Sequence, residues 1–252
     1  MADAVTSPFV GEPQSNAERA IRVVRWSVGL LACLLPIAWV VNPFGLIHPP
    51  LIFDQFTSAE LGLSLSYVLL SSALTAKHLP MRWVNVALAA ASLALTGWLA
   101  IFYNSESFTI LTPTVTYVTV AVVMLVLCII AGWRGAGPET VLLIIAFLVL
   151  GYFVQFGPSW LNSAPIKPQT YVFMMVFGGG GVLGLALQVI CQSVVVFLIF
   201  GLAFELAGGS RAIGAVALLV ARFGRGAAIS VCIIASALFG MISGSATSNV
   251  LA

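Results

Sequence analysis

Long apolar runs dominate this chain: AIRVVRWSVGLLACLLPIAWVV, LGLSLSYVLLSSALTA, WVNVALAAASLALTGWLAIFY, PTVTYVTVAVVMLVLCIIAG, TVLLIIAFLVLGYF and GLALQVICQSVVVFLIFGLAFEL follow one another with short polar breaks between them. About 20 consecutive apolar residues cross a bilayer as α-helix, because only a helix satisfies its own backbone amides and carbonyls in lipid. A transmembrane β-barrel would show segments of about ten residues alternating inward and outward, which VLLIIAFLVL does not. The expected class is therefore all-α, a polytopic helical membrane protein with about six spans.

The spans are placed at about Val23–Val41, Ala59–Ala76, Trp83–Tyr103, Pro113–Gly132, Thr140–Phe156 and Gly184–Leu206. Composition agrees, with 61% hydrophobic and 7% charged residues in 252. Net charge is +2, with no Lys/Arg run of the kind that binds nucleic acid. Cys33, Cys128, Cys191 and Cys232 lie inside apolar runs without metal-ligand or redox spacing and read as small core residues. The polar N-terminus leads through three arginines into a full span, as a cytoplasmic tail does and a cleaved signal does not.

Basic residues beside spans favour the cytoplasm. With the N-terminus inside, Arg19, Arg22, Arg25, Lys77, Arg82, Arg134, Arg211, Arg222 and Arg225 share that side and Lys167 alone lies opposite. The segment GGSRAIGAVALLVARFGRG is expected to lie in the inner interface. Helical rotation brings Arg211, Arg222 and Arg225 within about 60° of one another, with Ile213, Val216, Leu219, Val220 and Phe223 across from them. Leu218 breaks that pattern.

The last apolar arm, about Ala227–Ile242, then enters from the cytoplasm and ends in SGSATSN, Ser243 to Asn249. Sixteen residues rise about 24 Å as helix, short of the hydrocarbon thickness of about 30 Å, so this run ends at membrane depth or near the far interface. Irregular backbone there must be buried in protein or line a wet cavity, as in the first arm of a re-entrant hairpin. Hydroxyls of Ser243, Ser245 and Thr247, the Asn249 amide and free carbonyls around Gly244 are neutral oxygens that can replace the water shell of a sodium ion. Small polar residues also mark close helix packing, and on the residues alone both readings stand. The chain stops three residues later, and the expectation is an N-terminal portion of a longer protein.

ASALFGMISGSATSN resembles the first re-entrant hairpin of the large membrane subunit of tripartite ATP-independent periplasmic (TRAP) transporters. GYFVQFGPSWL, GVLGLAL and FLIFGLAFELAGGS precede it in the order of the fused permeases of the TAXI-type branch, so the similarity covers about Val120–Ala252. The earlier spans are similar in hydropathy to the small four-helix subunit of that branch. The implied organisation is a tail over 1–22, a four-helix region over 23–132, a connecting span and linker over 133–169, and the start of the transport region over 170–252.

The resemblance implies a permease, not an enzyme, in a bacterial or archaeal inner membrane. It takes up an organic acid delivered by an extracytoplasmic substrate-binding protein, coupled to sodium and with no other cofactor. Ser243, Gly244 and Ser245 match the ion-binding turn and Asn249 the polar position after it. Thr247 and Ser248 stand where relatives carry small apolar residues, and the lysine usual before the hairpin arm is absent from RGAAISV.

Glu205 is the carboxylate set well inside an apolar stretch, with two roles open to it, ion coupling or a structural pair with Arg211. His48 and His78 fall in loops on opposite sides and share no site. Trp26, Trp39, Trp83, Trp98, Trp133 and Trp160 sit near span ends as interface anchors. Gly178–Gly181 has no P-loop lysine after it and reads as a helix break or close-packing point. Gln188 and Gln192, one turn apart, are expected to face protein.

Two further functions stay open. Serines on a glycine-rich turn at membrane depth suggest an intramembrane hydrolase, although no His or Lys lies at matching depth to serve as base. A non-catalytic scaffold subunit would require the chain to end naturally at Ala252.

Overall fold

The computed structural model describes residues 16–41, 53–76, 78–102, 114–157 and 165–221, and beyond these only Ile233, Ser236, Ala237 and Gly240. Every regular element among the described residues is helical. In order these are α1 (Asn16–Val41), α2 (Phe53–Thr75), α3 (Leu79–Phe102), α4 (Val115–Gly135), α5 (Pro138–Phe153) with a 3-10 turn Val154–Phe156, α6 (Pro168–Phe177), α7 (Leu185–Val189), a π-helical turn Ile190–Val194, α8 (Val195–Leu206) and α9 (Gly209–Ala221).

Five helical segments are long and apolar enough to cross a membrane: Asn16–Val41, Leu79–Phe102, Val115–Gly135, Pro138–Phe156 and Leu185–Leu206. The protein is therefore a helical multi-pass membrane protein. Large apolar side chains uncovered by protein, such as Leu142, Phe147 and Leu150 on α5 and Phe200 and Leu202 on α8, would be untenable in water and match lipid tails. The chain divides into two packed units, Met1–Gln188 and Val189–Ala252.

In the first unit α2 is the central element, packed against α1, α3 and α4. Its contact with α3 is built from two stripes at alternating four- and three-residue spacing. Gly62, Ser66, Leu69 and Ala73 on α2 meet Asn85, Ala89, Ser92 and Thr96 on α3, and all eight are buried. That spacing keeps one seam facing a neighbour at a shallow crossing angle. The Ser66 and Ser92 hydroxyls are 2.8 Å apart, and both donate to the Ala89 carbonyl, at 3.0 and 2.8 Å. Gly62 lies against Thr96 so closely that a Cβ would overlap the threonine side chain.

Small residues at this seam have a physical reason. Lipid is as apolar as leucine, so helices in a bilayer are held by close packing and interhelical hydrogen bonds. Gly135 similarly lets the end of α4 approach Val68 on α2.

Where α4 turns into α5 the residue must take a left-handed conformation, and Gly137 does so at φ +97°. Ala136 and Gly137 both donate to the Gly132 carbonyl, closing α4, and Pro138 then opens α5 where no intrahelical donor is needed. The Tyr171 hydroxyl donates to the Leu148 carbonyl at 2.8 Å, tying α6 to α5.

The glycine tract breaks the helix, one of the two roles expected of it. From Gly178 the chain folds back along α6, and the amides of Gly178, Val182 and Leu183 donate to the carbonyls of Met174, Met175 and Val176 at 2.8–2.9 Å. A Cβ on Gly181 would come within 2.7 Å of the Met175 carbonyl oxygen. In the second unit the π-helical turn precedes α8, and Gly208 at φ +91° separates α8 from α9. Gln192, within the π turn, is exposed rather than covered by protein.

Gly62→Val is expected to force α2 and α3 apart and destabilise the protein by about 1–3 kcal/mol. Gly97→Ala, at a glycine whose Cβ would meet nothing within 4 Å, is expected to leave stability unchanged or raise it by up to about 1 kcal/mol. Thermal unfolding in detergent checks both.

Candidate functional site

The residues expected to bind sodium, Ser243, Gly244, Ser245, Thr247 and Asn249, lie outside the described residues, as do His48, Trp160, Arg222 and Arg225. Glu205 is described. It sits in the last turn of α8, uncovered by protein, and its backbone carbonyl accepts from Gly208 at 3.0 Å. Arg211, on α9, is also exposed and forms no ion pair with it within 4.0 Å.

Among the described residues the buried polar chemistry is in the first unit. Thr57, Ser58, Glu60, Ser66, Asn85, Ser92 and Thr96 are all buried, on α2 and α3. Hydroxyls account for most of this set and are satisfied locally. Thr57 donates to the Asp54 carbonyl at 3.1 Å, Ser58 to the Gln55 carbonyl at 2.9 Å, and Thr96 to the Ser92 carbonyl at 2.8 Å.

Two members are not satisfied. The Glu60 side chain, on a residue 3% exposed, has a buried Oε2 without a hydrogen-bond partner. Asn85 is fully buried, and neither its Oδ1 nor its Nδ2 has one. A buried polar group left this way costs about 1–3 kcal/mol, and more when charged.

The seam fixes where Asn85 sits. Gly62 is level with Thr96 and Ser66 with Ser92, which puts Asn85 level with Ala73, whose small side chain leaves room at that end. One turn earlier on α3, Arg82 forms a 2.7 Å ion pair with Glu18 of α1, both side chains largely covered. Arg134, in the last turn of α4, reaches the Met81 sulfur at 3.6 Å. Arg25 lies over the rings of Trp26 and Tyr67 at 5.6 and 5.9 Å. The starts of α1 and α3 and the end of α4 thus form a basic end of this unit, and Lys167 opens α6 after the far end of α5.

An apolar cleft of ≈ 190 Å³ lies between α4, α5 and α6, lined by Leu125, Cys128, Val141, Ile144, Leu148 and Met175. Apart from the Cys128 thiol it offers nothing to orient a polar ligand, so it suits an acyl chain better than a substrate.

Sequence reasoning missed Glu60 and Asn85 for separate reasons. A second span starting at Ala59 puts Glu60 at its edge, whereas α2 begins at Phe53, about 9 Å of helix before Ala59. Asn85 carried a usable signal, since Asn85, Ala89, Ser92, Thr96 and Leu99 form one continuous stripe at four- and three-residue spacing. No family model, curated protein or solved structure matches the chain.

With both ends of the Asn85 amide unpartnered, Asn85→Leu, close to it in volume, is expected to melt no lower than the parent protein. Asn85→Asp should melt lower, since it places a carboxylate in the same enclosed position. A fall in melting temperature for Asn85→Leu would show that the amide has a partner.

Proposed function

We propose that the chain is the membrane permease component of a sodium-coupled secondary transporter that takes up an organic acid handed over by an extracytoplasmic binding protein. The observation that carries this reading is the run Ser243–Asn249, a set of neutral oxygens closing an apolar arm too short to cross the bilayer. Its similarity to the first hairpin of TRAP permeases supplies the substrate class, the partner and the coupling ion. On this reading Ser243, Gly244, Ser245, Thr247 and Asn249 hold sodium, and the protein is not an enzyme.

The same reading has six spans, with α2 among them. Glu18 on α1 pairs with Arg82 on α3, so the two helices start at the same end and run in the same direction. α2 returns between them, and its 23 residues rise about 34 Å, enough to cross the same thickness. Its polar residues lower its hydropathy, but Thr57, Ser58, Glu60 and Ser66 among them are buried against neighbouring helices. The basic end formed by Arg25, Arg82 and Arg134 supports a cytoplasmic N-terminus in a bacterial or archaeal inner membrane. On α9, Arg211, Val216, Leu218 and Leu219 are left uncovered by protein, which suits a helix lying along the inner interface.

The test is uptake by the full-length protein in proteoliposomes, with its binding protein and a panel of organic acids outside. Replacing Ser243 and Ser245 together with alanine is expected to lower sodium-dependent uptake about tenfold or more, the effect of losing about 1.4 kcal/mol of ion binding. Uptake that keeps its full rate and sodium dependence in the double variant would contradict the assignment.

A further inference from the structure

Glu60 lies on the face of α2 that meets α1. At 100° per residue, Phe56, Glu60, Leu63 and Tyr67 fall within a sector of about 60°. Two of the four contact α1 directly. The Phe56 ring stacks on Trp39 with centroids 4.7 Å apart, and Tyr67 packs so closely on Gly29 that a Cβ there would come within 2.9 Å of its ring. Those contacts bracket Glu60 and set the register of the two antiparallel helices. The paired numbers sum to 95 (39 + 56) and 96 (29 + 67), so Glu60 is level with residues 35 and 36.

Residue 36 is a proline inside α1, and it is buried. Proline has no N–H, so the Ala32 carbonyl one turn earlier loses its normal intrahelical donor. Gly29, Ala32 and Pro36 share one face of α1 by the same rotation. A carboxyl group with an unpartnered oxygen thus lies level with a helix position that leaves a carbonyl without its donor.

We propose that Glu60, set against the Pro36 break in α1, is an intramembrane proton-binding site. An ionised carboxylate enclosed in protein at membrane depth costs several kcal/mol unless paired, and among the described residues of α1–α4 no positive side chain is level with it. Taking up one proton converts the carboxylate to a neutral acid whose O–H can donate to the Ala32 carbonyl, while its other oxygen stays an acceptor.

The other titratable groups on the elements around it are few. Arg25 on α1 lies over Tyr67, about two turns away along α2. Cys33 on α1 is exposed. From Asn85 to its end α3 carries no charged residue, and α4 carries only Tyr117 and Cys128 before Arg134. On α2 itself, half-buried Asp54 and the buried Thr57 precede Glu60 at successive three-residue steps, a row about 9 Å long that leads to the start of the helix.

Glu60 and Pro36 are not part of the Ser243–Asn249 run, so a proton site there stands or falls independently of the transport reading. Infrared difference spectroscopy of the full chain in lipid, titrated with pH, tests it. The parent protein is expected to show a protonated carboxyl C=O band at neutral pH that vanishes at alkaline pH. The band should be lost in E60Q and kept at a displaced frequency in E60D. P36A restores the donor to Ala32, removes the acceptor for the neutral acid, and should move the titration midpoint to lower pH.

A band that persists in E60Q, or no such band in the parent at neutral pH, would overturn the proposal. An unchanged midpoint in P36A would overturn the pairing with the α1 break. Sodium added at fixed pH is expected to leave the band in place, and its loss would overturn the site as a proton site in favour of a metal cation.

Discussion

The seam between α2 and α3 is the constraint on which the first unit depends. Gly62 against Thr96 and Ser66 against Ser92 bring two backbones close enough for the Ser66 hydroxyl to reach a carbonyl on the other helix. In lipid there is no hydrophobic drive to bring helices together, so close approach of this kind is what holds them. Once α2 is fixed on α3, α1 and α4 cover much of what remains of it, and it can carry Thr57, Ser58, Glu60 and Ser66 without exposing them to lipid. The polarity of α2 is thus a consequence of its central position.

Much of the fold was legible because membrane helices obey a length rule. The runs expected at Val23–Val41, Trp83–Tyr103, Pro113–Gly132 and Thr140–Phe156 correspond to α1, α3, α4 and α5, and the glycine tract breaks the helix where glycine content said it should. Hydropathy served less well where burial in protein replaces burial in lipid. The start of α2, at Phe53 rather than Ala59, and the short α6 were not legible for that reason, since neither depends on an unbroken apolar run. The π-helical turn at Ile190–Val194 leaves no mark in an apolar sequence such as ICQSV.

The candidate sites divide in the same way. Ser243–Asn249 stood out because polar residues interrupt an apolar arm, a contrast visible in one dimension. Glu205 stood out likewise, yet the structure leaves it uncovered at a helix end. Glu60 and Asn85 did not stand out, because what distinguishes them is enclosure by other helices, and enclosure is a property of packing. Arg82, paired with Glu18, and Arg134, against Met81, gather at one end of the first unit, a grouping that depends on packing.

The central claim is that α2 is a protein-enclosed helix running the full depth of the first unit. Amide hydrogen exchange across Phe53–Thr75, measured on the protein in lipid nanodiscs, tests it most directly. Protection is expected from the second turn of α2 onward, including the amides of Glu60 and Leu61, at a level comparable to α3. Rapid exchange of the stretch before Gly62, with protection only beyond it, would mean that Glu60 lies in an open interfacial segment, and would contradict the account.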